Sequence, residues 1–311
     1  MNFQTNKPLV VIVGPTASGK TAVSIDLAKR LNGEIVSADS RLLYRGMDIG
    51  TAKPTAAEQE NVPHHLIDVA DPDETWSLAL YQRTAYQVID SIMERSKLPI
   101  LVGGTGQYVR AIIEGWRIPP QAPDESLRES LSRWAEMIGP EGLHQRLATL
   151  DPQAAELIDY RNVRRTIRAL EVILNTGERF SDLRKKQQCR YTPFIFGISR
   201  PREVLYQRID QRIDQMIADG LVEEVQTLLQ SGYQADLPTL SAIGYGEIIQ
   251  YLNNQVSLEE AVTLIRRNTR IFVRRQANWF KPDDPRIHWV EAAEGMVDNM
   301  EEMIRRWLNG L

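Results

Sequence analysis

The chain has 311 residues, 42% hydrophobic and 25% charged content and a formal net charge of −4, values of an ordinary globular protein with chain enough for one large domain or two modest ones. Its single cysteine, Cys189, excludes an internal disulfide framework, and no stretch approaches the roughly 18 apolar residues of a membrane helix. The opening residues MNFQTNKP lack a charged-then-apolar leader pattern, so a cytoplasmic protein is expected.

The first predicted element is the apolar run from Pro8 to Gly14, a strand buried on both faces. Val23, Leu27 and Leu31 then repeat at helical spacing. A second strand, Glu34 to Ala38, delivers Asp39 at its C-terminal end. Residues 78–95 read as a helix, Pro99 to Gly103 as a third buried strand and Phe194 to Ser199 as a fourth. Strands alternating with helices predict an α/β fold with a parallel sheet flanked by helices.

Between the third and fourth strands the pattern changes. A proline-rich passage, Trp116 to Glu125, precedes predicted helices at 125–137, 140–150 and 161–175, the last closing at Gly177. This reads as a helical insertion domain, residues 116–191, hinged near 116–124 and 178–192. The core is then residues 1–115 and 192–311. Beyond Ser199 the chain is predicted to be helical to Trp307, apart from a short strand at Arg286 to Val290.

The net acidity hides basic clusters at Arg161, Arg164, Arg165 and Arg168, at Arg184, Lys185, Lys186 and Arg190, and at Arg266, Arg267, Arg270, Arg274 and Arg275. A nucleic-acid partner requires such a local surface rather than a basic average. A solvated helix face accounts for any one cluster equally well. His64 and His65 are adjacent and point to opposite sides of an extended segment, with no further His or Cys at the spacing of a zinc site. Trp76, Trp116, Trp134 and Trp279 are expected to pack, with one of them free to stack on a base.

Gly14-Pro15-Thr16-Ala17-Ser18-Gly19-Lys20-Thr21 satisfies GxxxxGK[ST] and sits after a strand, opening a helix, as a P-loop must. Its glycines let backbone N–H groups turn inward around a phosphate, and the helix N-terminus adds partial positive charge. Lys20 supplies a full charge, and the Thr21 hydroxyl is placed to ligate Mg²⁺. The core is therefore expected to be P-loop NTPase-like, and the chain an enzyme of phosphate-bearing substrates. An ATPase or kinase would add an acid ending a hydrophobic strand, but the third strand ends ILVGGTG. The one candidate carboxylate is Asp39.

Asp39 lies in Ser37-Ala-Asp-Ser-Arg-Leu-Leu-Tyr-Arg-Gly-Met-Asp-Ile-Gly-Thr-Ala-Lys-Pro54. With the P-loop, that stretch resembles the tRNA dimethylallyltransferases. The resemblance continues in order through Pro63 to Asp68, Val102 to Tyr108, Arg165 to Val172, Leu205 to Met216, Ala242 to Glu247 and Arg275 to Phe280. Departures are few: Gly246 stands where the family usually has Lys or Arg, Gln107 replaces a usual Leu and Asn278 a usual Thr.

The resemblance implies transfer of a dimethylallyl group from its diphosphate to N6 of the adenosine beside the anticodon (position 37), in tRNAs reading codons that begin with U. Mg²⁺, dimethylallyl diphosphate and the anticodon stem-loop are the implied cofactor and partners, and a monomer is expected. The residues suit that chemistry. The adenine amine is a poor nucleophile that must lose a proton as it attacks, and Asp39 is the obvious acceptor. Lys20, the loop amides and Mg²⁺ would stabilise the leaving diphosphate.

Thr105 follows the third strand at the sheet edge where ligands of open parallel sheets bind. It reads as a hydrogen-bond partner of the adenine or the diphosphate, or else as a helix cap. Ser40, Arg41 and Leu42 adjoin Asp39 and by resemblance touch RNA. Arg212 shares a helix face with Arg208; the resemblance implies that it contacts diphosphate or tRNA, with a salt bridge to Asp214 or Glu203 as the competing reading. Ile209, Ile213 and Met216 read as core. Ser241, Ala242, Ile243, Gly244, Tyr245 and Gly246 belong to a family segment that meets tRNA, with turn packing as the competing role. In the insertion, Arg128, Arg164, Arg165, Thr166, Ile167 and Arg168 would clamp the RNA loop while a base is taken from its stack. A small-molecule kinase using Asp39 as base, and a nucleotide-dependent RNA-binding switch without catalysis, are the competing functions.

Overall fold

The structure, a computed structural model, describes residues 7–59, 62–118, 124–184 and 189–311. Lys185 and Lys186, the first six residues and residues 119–123 of the proline-rich passage lie outside them. The chain divides into two compact units. One comprises Met1–Trp76, Tyr81–Ile113 and Arg190–Leu311; the other comprises Ser77–Leu80 and Glu114–Cys189. Among the described residues no helix is long and apolar enough to cross a membrane.

The first unit is built on six strands, β1 (Pro8–Val13), β2 (Gly33–Ser37), β3 (His64–His65), β4 (Leu98–Val102), β5 (Thr192–Ser199) and β6 (Ile287–Glu291). They form one parallel sheet in the order β3-β2-β4-β1-β5-β6. β1 is buried at every position, which its unbroken apolar run requires of a strand with helices on both faces. Helix α1 (Lys20–Leu31) follows β1 directly. Val10, Ile12, Ile35, Ile100, Phe196 and Ile198 of the sheet pack with Val23, Leu27 and Met300 into the core.

The strand ends fall one residue from their predicted positions at β2, β4 and β6. Sequence periodicity misses β3, because a two-residue strand carries no period to read. It pairs Ile35 with His64 and Val36 with His65.

The strand order places a reversal between β1 and β4. From β1 the chain crosses to β2 on one side; from β4 it goes to β5 on the other. Crevices at such reversals, at the carboxyl ends of the strands, are where open α/β sheets bind ligands.

The second unit is helical. Its first helical stretch, Glu125–Leu150, is broken at Gly139 (φ 75°, ψ 164°), with Pro140 next to the break. Asp124 caps it by accepting from the Leu127 amide at 2.9 Å. A short helix, Pro152–Leu157, starts from the Asp151 cap and is not among the predicted helices. The last helix, Val163–Thr176, is capped by Asn162 and closes at Gly177 in the left-handed region (φ 71°). Leu131, Leu143, Leu147, Ala169 and Leu170 form its separate core.

Candidate active site

Register alone brings three loops together. Val102 of β4 pairs with Ile12 of β1 on one side and with Ser37 of β2 on the other, so the P-loop, the Asp39 loop and the Gly103–Thr105 loop leave the sheet side by side. Backbone bonds stitch them: Gly103 N–H donates to Ile12 O at 3.2 Å, Ala38 N–H to Val102 O at 2.7 Å and Thr105 N–H to Ala38 O at 3.2 Å. Gly103 has to be glycine, since a Cβ there would lie 2.1 Å from the Ala38 carbonyl oxygen.

The P-loop has the backbone its sequence requires. Gly14 and Gly19 have φ of 149° and 102°, and Ala17 also lies at positive φ. Gly14 further permits close approach, because a Cβ would sit 2.7 Å from Ile198 O. Ser18 is fully buried and its Oγ has no hydrogen-bond partner among the described residues. A buried hydroxyl without a partner is costly and marks a place for a ligand oxygen. Thr21 stands exposed in the first turn of α1.

Cations gather around this loop in excess of anions. Lys20 Nζ donates to Pro15 O at 2.7 Å, Arg200 Nε to Ser18 O at 2.9 Å and Arg208 Nε to Ala17 O at 2.9 Å. The Lys20 ammonium is pulled down to about 8, chiefly because burial disfavours its charge; Asp39 opposes this and Arg212 adds to it. Burial, then Arg208, push the Arg212 and Arg200 guanidiniums below their usual range. Arg212 has no ion pair among the described residues, and Asp214 is bonded to Arg266 instead. Buried cations gathered on one loop, with Asp39 the carboxylate acting on Lys20, describe a site that a bound anion would stabilise.

A cleft of about 510 Å³ opens beside the loops, lined by Thr16, Asp39, Ser40, Arg41, Thr105 and Arg212 among others. Asp39 accepts from the Arg41 amide at 2.9 Å. The Thr105 hydroxyl accepts from the Ser40 amide at 3.1 Å and lies 3.4 Å from Ser40 Oγ; it ties two loops together rather than capping the helix that follows. Arg41 reaches Thr239 O at 3.2 Å. The same lining includes the apolar side chains Ile209, Ile213, Met216, Ile243, Ile265 and Phe272. Ile209 and Ile213 are thus both core and cleft lining, where helical periodicity assigns them to the core alone.

Residues in and around the cleft escape local patterns of the sequence. Gln276, buried, accepts from the Thr16 amide at 2.9 Å and donates to Gly104 O at 3.1 Å, clamping the P-loop to the β4 loop. Trp279 packs against Gly106, where a Cβ would lie 2.2 Å from its ring. Neither is signalled by periodicity; both belong to the stretch Arg275 to Phe280 that carries the resemblance. Glu224 gives no signal at all. Its carboxylate accepts from the amides of Asp48, Ile49 and Gly50 at 3.0, 2.7 and 3.1 Å, and from the Tyr245 hydroxyl at 2.6 Å, so it holds the Gly50–Ala52 rim of the cleft. Glu224→Gln is expected to lower stability by about 2 kcal/mol, as hydrogen bonds to a charged group are weakened. An unchanged urea midpoint would show that the rim does not depend on this carboxylate.

The 241–246 segment needs correction in part. Ser241, Ala242, Ile243 and Gly244 line the cleft. Tyr245 does not: it is fully buried, its ring lies against Gly50 and its hydroxyl is bonded to Glu224. Its role is to pack the rim. Gly246 is partly buried and outside the lining.

In the second unit, Arg128 and Arg168 are committed to Glu171, a carboxylate 1% exposed, at 3.0 and 2.7 Å. Thr166 and Ile167 are buried in that unit, so neither is a surface for RNA. Arg164 is exposed and Arg165 partly so, and neither has an acidic partner among the described residues.

The family profile described as IPP transferase matches residues 42–283, and one described as isopentenyl transferase matches residues 7–72. A protein named tRNA dimethylallyltransferase from Roseiflexus castenholzii is 53% identical over 96% of this chain and 98% of its own. One of the same name from Thermomicrobium roseum is 48% identical over 97% of this chain and 92% of its own. Among solved structures, the tRNA isopentenylpyrophosphate transferase of Bacillus halodurans superposes with a TM-score of 0.71 at 43% identity, covering 97% and 96% of the two chains. A eukaryotic dimethylallyltransferase described as acting on tRNA gives a TM-score of 0.76 at 26% identity, covering 96% of this chain and 77% of that one. The chain is a member of the IPP transferase family, the family of the tRNA dimethylallyltransferases.

Proposed function

We propose that this protein transfers the dimethylallyl group of dimethylallyl diphosphate to N6 of the adenosine beside the anticodon of tRNA, releasing diphosphate. One observation carries the reading: Thr16 of the P-loop, the Arg212 guanidinium, the Asp39 carboxylate and a set of apolar side chains line a single cleft. Each part answers one demand of the reaction. The diphosphate lies against the P-loop amides, Ser18, Lys20 and Arg212. The five-carbon chain lies along Ile209, Ile213, Met216 and Phe272, where each methylene removed from water contributes about 0.8 kcal/mol. The adenine enters beside Asp39 and Thr105.

In the step itself the allylic C1–O bond breaks and its electron pair stays with the diphosphate. The N6 lone pair forms the new C–N bond, and one N6 proton passes to Asp39. Lys20 and the inward-pointing loop amides meet the charge that grows on the leaving oxygen, in the geometry where such donors act most strongly.

A Mg²⁺ ion would fit beside Thr21, which stands exposed in the first turn of α1, because such an ion takes one or two protein oxygens and completes its shell from phosphates and water. The Thr21 hydroxyl would hold it, and the ion would add positive charge to the diphosphate.

On the RNA side, Ser40, Arg41 and Ser241–Gly244 line the cleft, and Arg164 and Arg165 are among the second-unit side chains available to phosphates. The donor decides between this reading and a kinase. Incubated with a stem-loop RNA and either labelled dimethylallyl diphosphate or γ-labelled ATP, the protein is expected to label the RNA from the first alone. Label arriving only from ATP would make it a kinase.

A further inference from the structure

Two helices of the first unit, α2 (Arg202–Ala218) and α3 (Leu258–Ala277), pack against each other. α3 presents opposite sides to two different places. Ile265, Thr269, Phe272 and Gln276 line the substrate cleft. At about 100° of rotation per residue, Arg267, Arg270 and Arg274 lie roughly half a turn away and Arg266 about a quarter turn. There they line a second, open pocket of about 520 Å³, with Arg202 and Tyr206 of α2.

This pocket is strongly cationic. Its five guanidiniums face one carboxylate of the lining, Asp210, which pairs with Arg270 at 2.6 Å. Arg266 is bonded to Asp214 nearby. Arg202, Arg267 and Arg274 have no acidic partner among the described residues, and all three are exposed. The guanidinium carbons of Arg202 and Arg270 each lie 5.1 Å from the Tyr206 ring centroid, an arrangement that gathers positive charge instead of dispersing it. The Nε atoms of Arg266 and Arg270 and the Oδ1 of Asp210 are buried without a hydrogen-bond partner among the described residues, so the donors open to a ligand are those of the exposed Arg202, Arg267 and Arg274. Exposed guanidiniums without a carboxylate in a pocket of excess positive charge call for an oxyanion, and arginine forks match phosphate.

We propose that this arginine pocket binds phosphates of the tRNA strand outside the nucleotides held in the cleft, and so contributes sequence-independent affinity. The proposal rests on the prenyl-transfer reading. Two observations favour a polynucleotide over a small anion. The pocket is open, as a continuous strand needs. It also lies across a single helix from the cleft, with Arg274 in one and Arg275 in the other, so a strand leaving the cleft has only a helix width of about 10–12 Å to cross.

The test is a triple variant, Arg202→Gln, Arg267→Gln and Arg274→Gln, compared with wild type in binding full-length tRNA over a range of salt. Each phosphate that the protein no longer neutralises shallows the log–log salt dependence by about 0.7–0.9. A variant slope shallower by about 1–2, with tRNA affinity down at least tenfold at low salt, is expected. Dimethylallyl diphosphate affinity and the single-turnover rate at saturating tRNA are expected to stay at wild-type values, which also reports an intact fold. A wild-type slope in the variant would overturn the proposal. So would binding of inorganic triphosphate that the variant loses while its tRNA slope is unchanged, since the pocket would then be a small-anion site. Wild-type protein with no affinity for tRNA would overturn both the proposal and the reading beneath it.

Discussion

Asp39→Asn is expected to bind tRNA and dimethylallyl diphosphate as wild type does, and to transfer roughly 10²–10⁴-fold more slowly in a single turnover. The substitution keeps the shape of the side chain and an oxygen able to accept from the Arg41 amide, a bond of 2.9 Å in the wild type. Loop geometry should therefore persist. What it removes is the proton acceptor, and the adenine amine cannot complete its attack while it keeps both protons. A near-normal single-turnover rate would rule out the base role. Loss of tRNA binding would place Asp39 in recognition instead.

The second large effect falls on Lys20. Lys20→Ala is expected to weaken dimethylallyl diphosphate binding about 30- to 150-fold, from the ~2–3 kcal/mol of a hydrogen bond to a charged group, while the protein stays folded. Equilibrium binding of the donor checks this, and wild-type affinity would refute the cradle. The lysine also predicts a pH dependence. Its ammonium titrates at about 8 in the free protein, so donor affinity should hold below that pH and fall as pH rises above it. Binding in the alkaline range just above that value should take up a proton, because the diphosphate restores the charged form. The sign for stability is opposite. An ammonium whose pKa lies below its unfolded value of 10.5 destabilises the fold below about 8, and the penalty is relieved as pH climbs towards 10.5. Wild type should gain on Lys20→Ala across that window.

The strands and the P-loop are legible because they follow from short-range rules. An unbroken apolar run such as Leu9 to Val13 has to be buried on both faces, and GxxxxGK[ST] fixes backbone and charge within a single short loop. Asp39 and Thr105 are legible as strand-end residues, but their meeting in space depends on the β2-β4-β1 order, which only pairing reveals. Gln276 and Glu224 act across 260 and 174 or more positions of chain on the P-loop and on the Gly50 rim, so no local pattern announces them. Tyr245 misleads in the reverse direction, since its packing on Gly50 and its bond to Glu224 hold it in the fold. Arg128 and Arg168 look unpaired in the sequence, but both meet the buried Glu171. Positive charge in a sequence does not say whether a carboxylate waits beside it.

Attack of the adenine N6 amine on the allylic carbon, with its proton leaving to Asp39, is tested most directly by single-turnover transfer of labelled dimethylallyl diphosphate to two anticodon stem-loops. One carries adenosine after the anticodon; the other carries a purine nucleoside there, identical except that the exocyclic amine is absent. Label on the adenosine and none on the amine-free base is the expected result. Equal labelling of both, or none on either with donor still consumed, would contradict it.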